Sequence, residues 1–153
     1  MSRSFVADAS VAIAWIHPGQ ATVATTKLLQ SIGAGAVVHV SALWFLEIAN
    51  ALLVLTRRGK LVELERRAAL GWIQRLPVKI DHEMSALACG RLSDLAAEYA
   101  LSGYDATYLE LAQRLNLPLA CKDGALRSAA RACGVKLIEP DGSLTDRNFD
   151  FRD

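Results

Sequence analysis

The sequence is poor in the residues that build disulfide frameworks, zinc sites and membrane spans. It has three cysteines and three histidines among 153 residues, and neither type forms a CxxC or an HxxxH pair. Scattered cysteines in odd number indicate free thiols in a cytoplasmic protein, and separated histidines argue against zinc. The longest nearly apolar run, residues 42–55, is too short to cross a bilayer and contains Glu47. We therefore expect a cytoplasmic protein with no membrane partner.

The sequence also lacks an excess of charge of either sign. Its 17 basic and 16 acidic residues give a formal net charge of +1, which excludes a histone-like cation and an acidic tail protein. The charge is nevertheless uneven, because residues 57–79 contain a basic band formed by Arg57, Arg58, Lys60, Arg66, Arg67, Arg75 and Lys79. This band could bind a phosphate backbone, or it could be an ordinary solvated helical face.

The apolar segments predict an α/β domain. The chain is 52% hydrophobic and 22% charged, which is typical of a folded domain, and we expect it to span residues 1–140, followed by a polar tail at 141–153. Strands are predicted at 4–7, 37–40, 78–80, 117–120 and 135–138, and helices at 9–16, 21–32, 42–57, 63–76, 83–101, 104–115 and 125–132. Because the strands are continuous apolar runs that alternate with helices, we expect a three-layer α/β/α fold with a short, mainly parallel central sheet.

Three acidic residues lie near the predicted strand ends, at the starts of helices. Asp8 directly follows the first strand, Asp123 follows the fourth, and Asp105 opens the sixth helix. Ligands of open parallel sheets bind beyond the carboxyl ends of the strands. Each acid also has a structural explanation, since Asp8 and Asp123 are suited to cap helices and Ser102-x-x-Asp105 resembles a capping box.

Glu47 is harder to explain by helix capping. Residues 42–55 read ALWFLEIANALLVL, and the only polar residues among them are Glu47 and Asn50, which share one helix face. A buried carboxylate is costly unless it is protonated, paired or bound to a metal, and Arg57 and Arg58 lie about three turns away. The alternative is a glutamate that reaches the helix edge or forms a salt bridge across the fold.

Taken together, the acids predict a site for a hard divalent cation. Carboxylates brought close together repel one another, and one of them protonates unless a cation compensates. Mg²⁺ and Mn²⁺ take oxygen ligands, and a pair of such ions can stabilise the attacking and leaving oxygens of a phosphodiester displacement. The alternative is an acidic cluster that binds a structural ion or none.

The order of these residues resembles a PIN domain. The resemblance runs from Phe5 to about Ile138 and rests on Asp8-Ala9-Ser10, on Glu47 and Asn50 in an apolar helix, on Tyr104-Asp105-Ala106-x-Tyr108-x-x-Leu111-Ala112, and on Asp123 before Leu126. Within that family, the small size resembles the VapC-type ribonuclease toxins of prokaryotic toxin–antitoxin pairs. There are two departures: Cys121 stands where Thr or Ser is usual, and Val40-Ser41-Ala42 where a proline is common.

The resemblance implies an Mg²⁺- or Mn²⁺-dependent endoribonuclease whose substrate is RNA and whose inhibitor is a cognate antitoxin protein. It assigns catalysis and metal binding to an acidic quartet formed by Asp8, Glu47, Asp105 and Asp123, with Ser10 and Asn50 in support. The alternative is a catalytically silent PIN-like module that binds RNA or protein. The presence of all four acids argues against a silent module, because such a copy is free to lose them.

The apolar helix at residues 42–55 also predicts a homodimer. It carries Trp44 and Phe45, and one small sheet covers only part of such a helix, so we expect aromatic surface to remain for an interface. The alternative is a central core helix that is fully covered within one chain.

Overall fold

The structure is a computed structural model that describes residues 3–139, so the predicted tail at 141–153 lies outside the described residues. The strands are β1 (Ser4–Ala7), β2 (Val37–Ser41), β3 (Val78–Asp81) and β4 (Leu119–Ala120). The α-helices are α1 (Ala9–Ile16), α2 (Val23–Gly33), α3 (Trp44–Arg57), α4 (Glu63–Gln74), α5 (Met84–Leu87), α6 (Ser93–Tyr99), α7 (Gly103–Leu115) and α8 (Gly124–Ala132). A short 3-10 helix (Pro18–Gln20) and a π-helical segment (Ala88–Leu92) complete the elements.

The four strands form a parallel sheet in the order β3-β2-β1-β4, which confirms the predicted α/β fold with flanking helices. In the central strand β1, Val6 pairs with His39 of β2 on one side and Leu119 of β4 on the other. Phe5 and Val6 are fully buried, as expected for a strand covered on both faces. The strand order reverses between β1 and β4, and ligands bind at such a reversal.

Helix α3 is buried along one stripe rather than on most sides. Trp44, Ile48 and Leu52 recur every four residues and are at most 1% exposed, whereas Leu46 is 68% exposed. The alternative of a core helix that is fully covered within one chain is therefore wrong. Trp44 belongs to the core and contributes no aromatic surface to an interface.

Two other predicted elements differ from the structure. The helix predicted at 83–101 is divided into α5, the π-helical segment and α6, and only Leu92 and Leu95 of these residues are buried. Gly90, a poor helix former, lies in the π-helical segment, and a π turn displaces the side chains that follow it. The strand predicted at 135–138 is reduced to one bridge between Leu137 and Leu119, since β4 is only two residues long. No helix within residues 3–139 is long and apolar enough to span a membrane.

Candidate functional site

Asp8 lies at the end of β1 and caps α1. Its Oδ1 accepts hydrogen bonds from Ser10 Oγ at 2.6 Å and from the backbone N–H of Val11 at 3.3 Å. The main chain is also held, because Asp8 N–H donates to the Ala120 carbonyl at 3.1 Å and Trp44 Nε1 donates to the Asp8 carbonyl at 3.2 Å. The predicted N-cap is therefore present. It fixes a carboxylate that is 5% exposed at the point where the strand order reverses.

The surroundings of Asp8 favour its protonated form. Burial, with a smaller contribution from the negative charges of Asp105 and Glu47, raises the pKa of Asp8 to about 7 against the lowering effect of its bonds from Ser10 and Val11. Near neutral pH a proton or a cation can therefore neutralise this carboxylate.

Glu47 lies in the first turn of α3 and is held by Tyr108. The hydroxyl of Tyr108, a fully buried residue, donates to Glu47 Oε1 at 2.8 Å. Burial and the charge of Asp105 raise the pKa of Glu47, although the bond from Tyr108 lowers it. Burial and the charge of Glu47 also raise the pKa of Tyr108, so the phenol stays protonated as a donor. Sequence reasoning gave Tyr108 no role, but its spacing of three from Asp105 on one helix was the available signal.

Asp105 and Asp123 lie at the N-termini of α7 and α8. The backbone N–H of Asp105 donates to Ser102 Oγ at 3.1 Å, and Asp123 Oδ2 accepts from the backbone N–H of Leu126 at 2.9 Å. Burial and the charge of Asp123 raise the pKa of Asp105, while Ser102 lowers it. Asp123 is the exposed member of the quartet. Asp123 caps α8 as predicted, which orients its carboxylate, whereas only the Ser102 half of the predicted capping box is present among the described residues, and it holds the backbone N–H of Asp105.

Backbone contacts support the segment that precedes Asp123. Ser10 Oγ, which donates to Asp8, also accepts from the backbone N–H of Lys122 at 3.0 Å. The Cys121 carbonyl accepts from Arg127 Nη1 at 3.0 Å, and the Cys121 side chain is buried. Replacing the usual Thr or Ser by Cys121 therefore leaves this segment held through its main chain.

Asn50, the other residue expected to give support, is exposed on α3. Within residues 3–139 it makes no hydrogen bond to the quartet. The structure thus places Ser10 in contact with the quartet but not Asn50.

The quartet fits a hard divalent cation in donor chemistry. Its donors are all carboxylate oxygens, and no ion pair between described residues includes any of the four. The side chains do not yet converge, because nowhere in residues 3–139 are three or more His, Cys, Asp or Glu side chains arranged to hold a metal ion. The charges of neighbouring members nevertheless contribute to the raised pKa values of Asp8, Glu47 and Asp105, so these acids lie within electrostatic reach of one another.

The basic band lies outside this site. Arg57 ends α3, about 15 Å along the helix from Glu47. Arg66 and Arg67 form exposed ion pairs with Glu63 at 2.6 and 2.9 Å. For these two arginines the solvated helical face is the better interpretation.

The family model for the PIN domain matches residues 5–132, which is most of the chain. No curated protein matches the sequence.

Three solved structures share the fold. PAE2754 from Pyrobaculum aerophilum has a TM-score of 0.64 and 22% identity, over 84% of this chain and 87% of that one. VapBC2 from Rickettsia felis, bound to a DNA fragment from its promoter, has a TM-score of 0.61 and 11% identity, over 88% and 96%. FitAcB from Neisseria gonorrhoeae has a TM-score of 0.60 and 16% identity, over 89% and 97%. At these identities the likeness shows the fold alone.

Proposed function

The chain belongs to the PIN domain family, and from this premise we propose that it is the toxin component of a toxin–antitoxin system, a metal-dependent endoribonuclease that hydrolyses RNA phosphodiester bonds. One observation carries the proposal: the electrostatically coupled carboxylates beside the β1–β4 reversal have no protein cation paired with them in the described residues. A buried carboxylate such as Asp8 is costly for stability without a partner of opposite charge, and a divalent cation would offset that cost and could still bind an RNA phosphate.

Each member of the quartet has a distinct part in this proposal. Asp8, Asp105 and Asp123 would hold Mg²⁺ or Mn²⁺, with Glu47 as a ligand directly or through water. When bound, the ion supplies positive charge that offsets the charge developing on the phosphate oxygens during hydrolysis.

The rest of the site orients these ligands. Ser10 and the Val11 amide hold Asp8 in one orientation, and the Leu126 amide does the same for Asp123. Tyr108 keeps its proton and thereby directs Glu47. Side chains that are already held by hydrogen bonds lose less conformational freedom when they bind a ligand.

Cleavage of a mixed RNA pool tests the proposal. The purified protein should cut RNA with Mg²⁺ or Mn²⁺ and stop when EDTA is added in excess. Restoring the metal should restore cleavage, which separates chelation from damage. RNA that is bound but never cut, with either ion, would support the silent binding module instead.

The partners follow from the same proposal. We propose a cognate antitoxin that directs an Arg or Lys side chain toward the quartet, and the structural neighbours VapBC2 and FitAcB, from systems of this kind, support a protein partner. A cytoplasmic location is supported by the three cysteines, all of which are free.

The proposed homodimer has a different basis from the one expected from sequence. Trp44 is buried, but Leu46 on α3 and Leu64 on α4 are 68% and 78% exposed, which leaves apolar surface on this helix pair. Light scattering at tens of micromolar should give twice the chain mass of 16.5 kDa. A single-chain mass throughout that range would reject the dimer and leave the nuclease proposal intact.

A further inference from the structure

Tyr104 is an aromatic residue whose side chain is not packed into the core. Its side chain is 65% exposed, and it is the one exposed aromatic residue within residues 3–139. It directly precedes Asp105 at the start of α7, and its carbonyl accepts from Thr107 Oγ1 at 2.6 Å, which fixes the backbone beneath the ring.

The space beside Tyr104 is open. Ser102 and Gly103 are exposed as well, and a Cβ atom added to Gly103 would meet no atom within 4 Å. A planar ligand group could therefore reach the ring without displacing protein atoms.

The charge of the site explains why an aromatic residue is useful there. Without a bound cation the carboxylates of the quartet repel the phosphates of a nucleic acid, and Arg57 of the basic band lies at the opposite end of α3 from Glu47. Stacking of a base on an aromatic ring does not depend on that charge and occurs with every base.

We propose that Tyr104 is the stacking platform for an unpaired base of the RNA next to the bond that is cut. This inference rests on the proposed ribonuclease function and adds to it a side chain that contacts a base of the substrate. In a duplex the base faces are already stacked on their neighbours, so Tyr104 has no face to bind.

Steady-state cleavage of an unstructured RNA oligonucleotide tests the role of Tyr104. Tyr104→Ala should raise KM between about 5-fold and about 100-fold and leave kcat within about 2-fold. Tyr104→Trp should keep KM within about 3-fold of the wild type, since it retains an aromatic face. Val23→Ala is the matched control, because it removes a similarly exposed apolar side chain, 59% exposed on α2, and should change neither parameter.

Binding gives a second readout that does not depend on cleavage. In the Asp8→Asn background, fluorescence anisotropy with the same labelled RNA should show the same rise in Kd for Tyr104→Ala, and no rise with a duplex of equal length. Melting temperatures of all variants should agree, which would exclude misfolding.

Several results would overturn the inference. An unchanged KM and Kd in Tyr104→Ala would reject it while leaving the ribonuclease proposal intact, as would an equal effect on duplex RNA. A Tyr104→Ala variant impaired only in binding a protein inhibitor would assign the ring to a protein interface instead. A wild-type protein that neither binds nor cuts RNA would reject both proposals.

Discussion

Asp8 and Glu110 are carboxylates buried to almost the same degree, 5% and 6% exposed, but their surroundings are opposite. Glu110 accepts two hydrogen bonds from Arg114, at 2.8 and 3.1 Å, and the same guanidinium binds Asp81 at 2.9 and 3.1 Å. Asp8 receives only a hydroxyl and a backbone amide. Its charged neighbours are other acids.

The difference separates a structural acid from a candidate ligand. A buried charge is tolerated when a partner of opposite sign lies against it, and Arg114 is that partner for Glu110. The resulting cluster ties α7 to the end of β3. Asp8 has no such partner in the described residues. Its buried carboxylate is therefore unfavourable in the charged form, and binding of an external cation would stabilise it.

The largest expected effect is the loss of catalysis in Asp8→Asn. The amide keeps the shape of the carboxylate but removes a ligand charge, so the single-turnover rate of RNA cleavage should fall by about a thousandfold or more. The fold should remain intact or become slightly more stable, because repulsion within the quartet is relieved. Asp105→Asn should behave in the same way.

Glu110→Gln is the matched control for that experiment and should cleave at close to the wild-type rate. Should both quartet variants cut RNA as fast as the wild type, the quartet would not be the catalytic site.

The next effect is a pH dependence of stability in the metal-free protein. The pKa of Asp8 is about 7 in the fold and 3.8 as the ordinary value, so the unfolded chain releases its proton first as the pH rises. Between about pH 4 and pH 7 the native state binds more protons than the unfolded chain. The free energy of unfolding should therefore fall by on the order of 4 kcal/mol as the pH rises through this range. The raised pKa values of Glu47 and Asp105 act in the same direction.

Urea unfolding in EDTA across this range measures that fall, and Asp8→Asn should flatten it. A wild-type protein whose stability rises from pH 5 to pH 8 would contradict the assigned environment of Asp8.

A somewhat smaller effect is stabilisation by metal. Mg²⁺ or Mn²⁺ should raise the melting temperature in a saturable way, and an ion at 100 times its Kd adds about 2.7 kcal/mol. Glu47→Gln should show a smaller rise, whereas Glu110→Gln should show the full one. Differential scanning fluorimetry with a metal titration measures this, and no response up to millimolar metal would count against the site.

The smallest effect concerns the structural acid. Glu110→Gln should lower the free energy of unfolding by about 2 kcal/mol, because Arg114 loses a charged acceptor in a partly buried position. Glu63→Gln, which weakens the exposed pairs with Arg66 and Arg67, should cost much less. Chemical denaturation of the two variants decides this, and equal losses would mean that burial does not distinguish these pairs.

The sequence by itself determined the features that depend on near neighbours. The apolar runs at β1 and β2 and the caps at Asp8 and Asp123 are local, since burial pattern and helix capping involve residues only a few positions apart. The same local logic failed at the π-helical segment and at residues 135–138, where packing and the short partner strand decided the outcome.

Only the tertiary structure decided which distant groups meet. Tyr108 reaches Glu47 across 61 residues, and Ser10 reaches the Lys122 amide across 112. Likewise, no local signal distinguished Glu110 from Asp8. Glu110 forms an ion pair with Arg114, which also pairs with Asp81, whereas Asp8 has no ion pair among the described residues. The physical reason is that the desolvation and pairing of a charge depend on which elements pack against it, and that is fixed by strand order and helix placement rather than by the residues beside it.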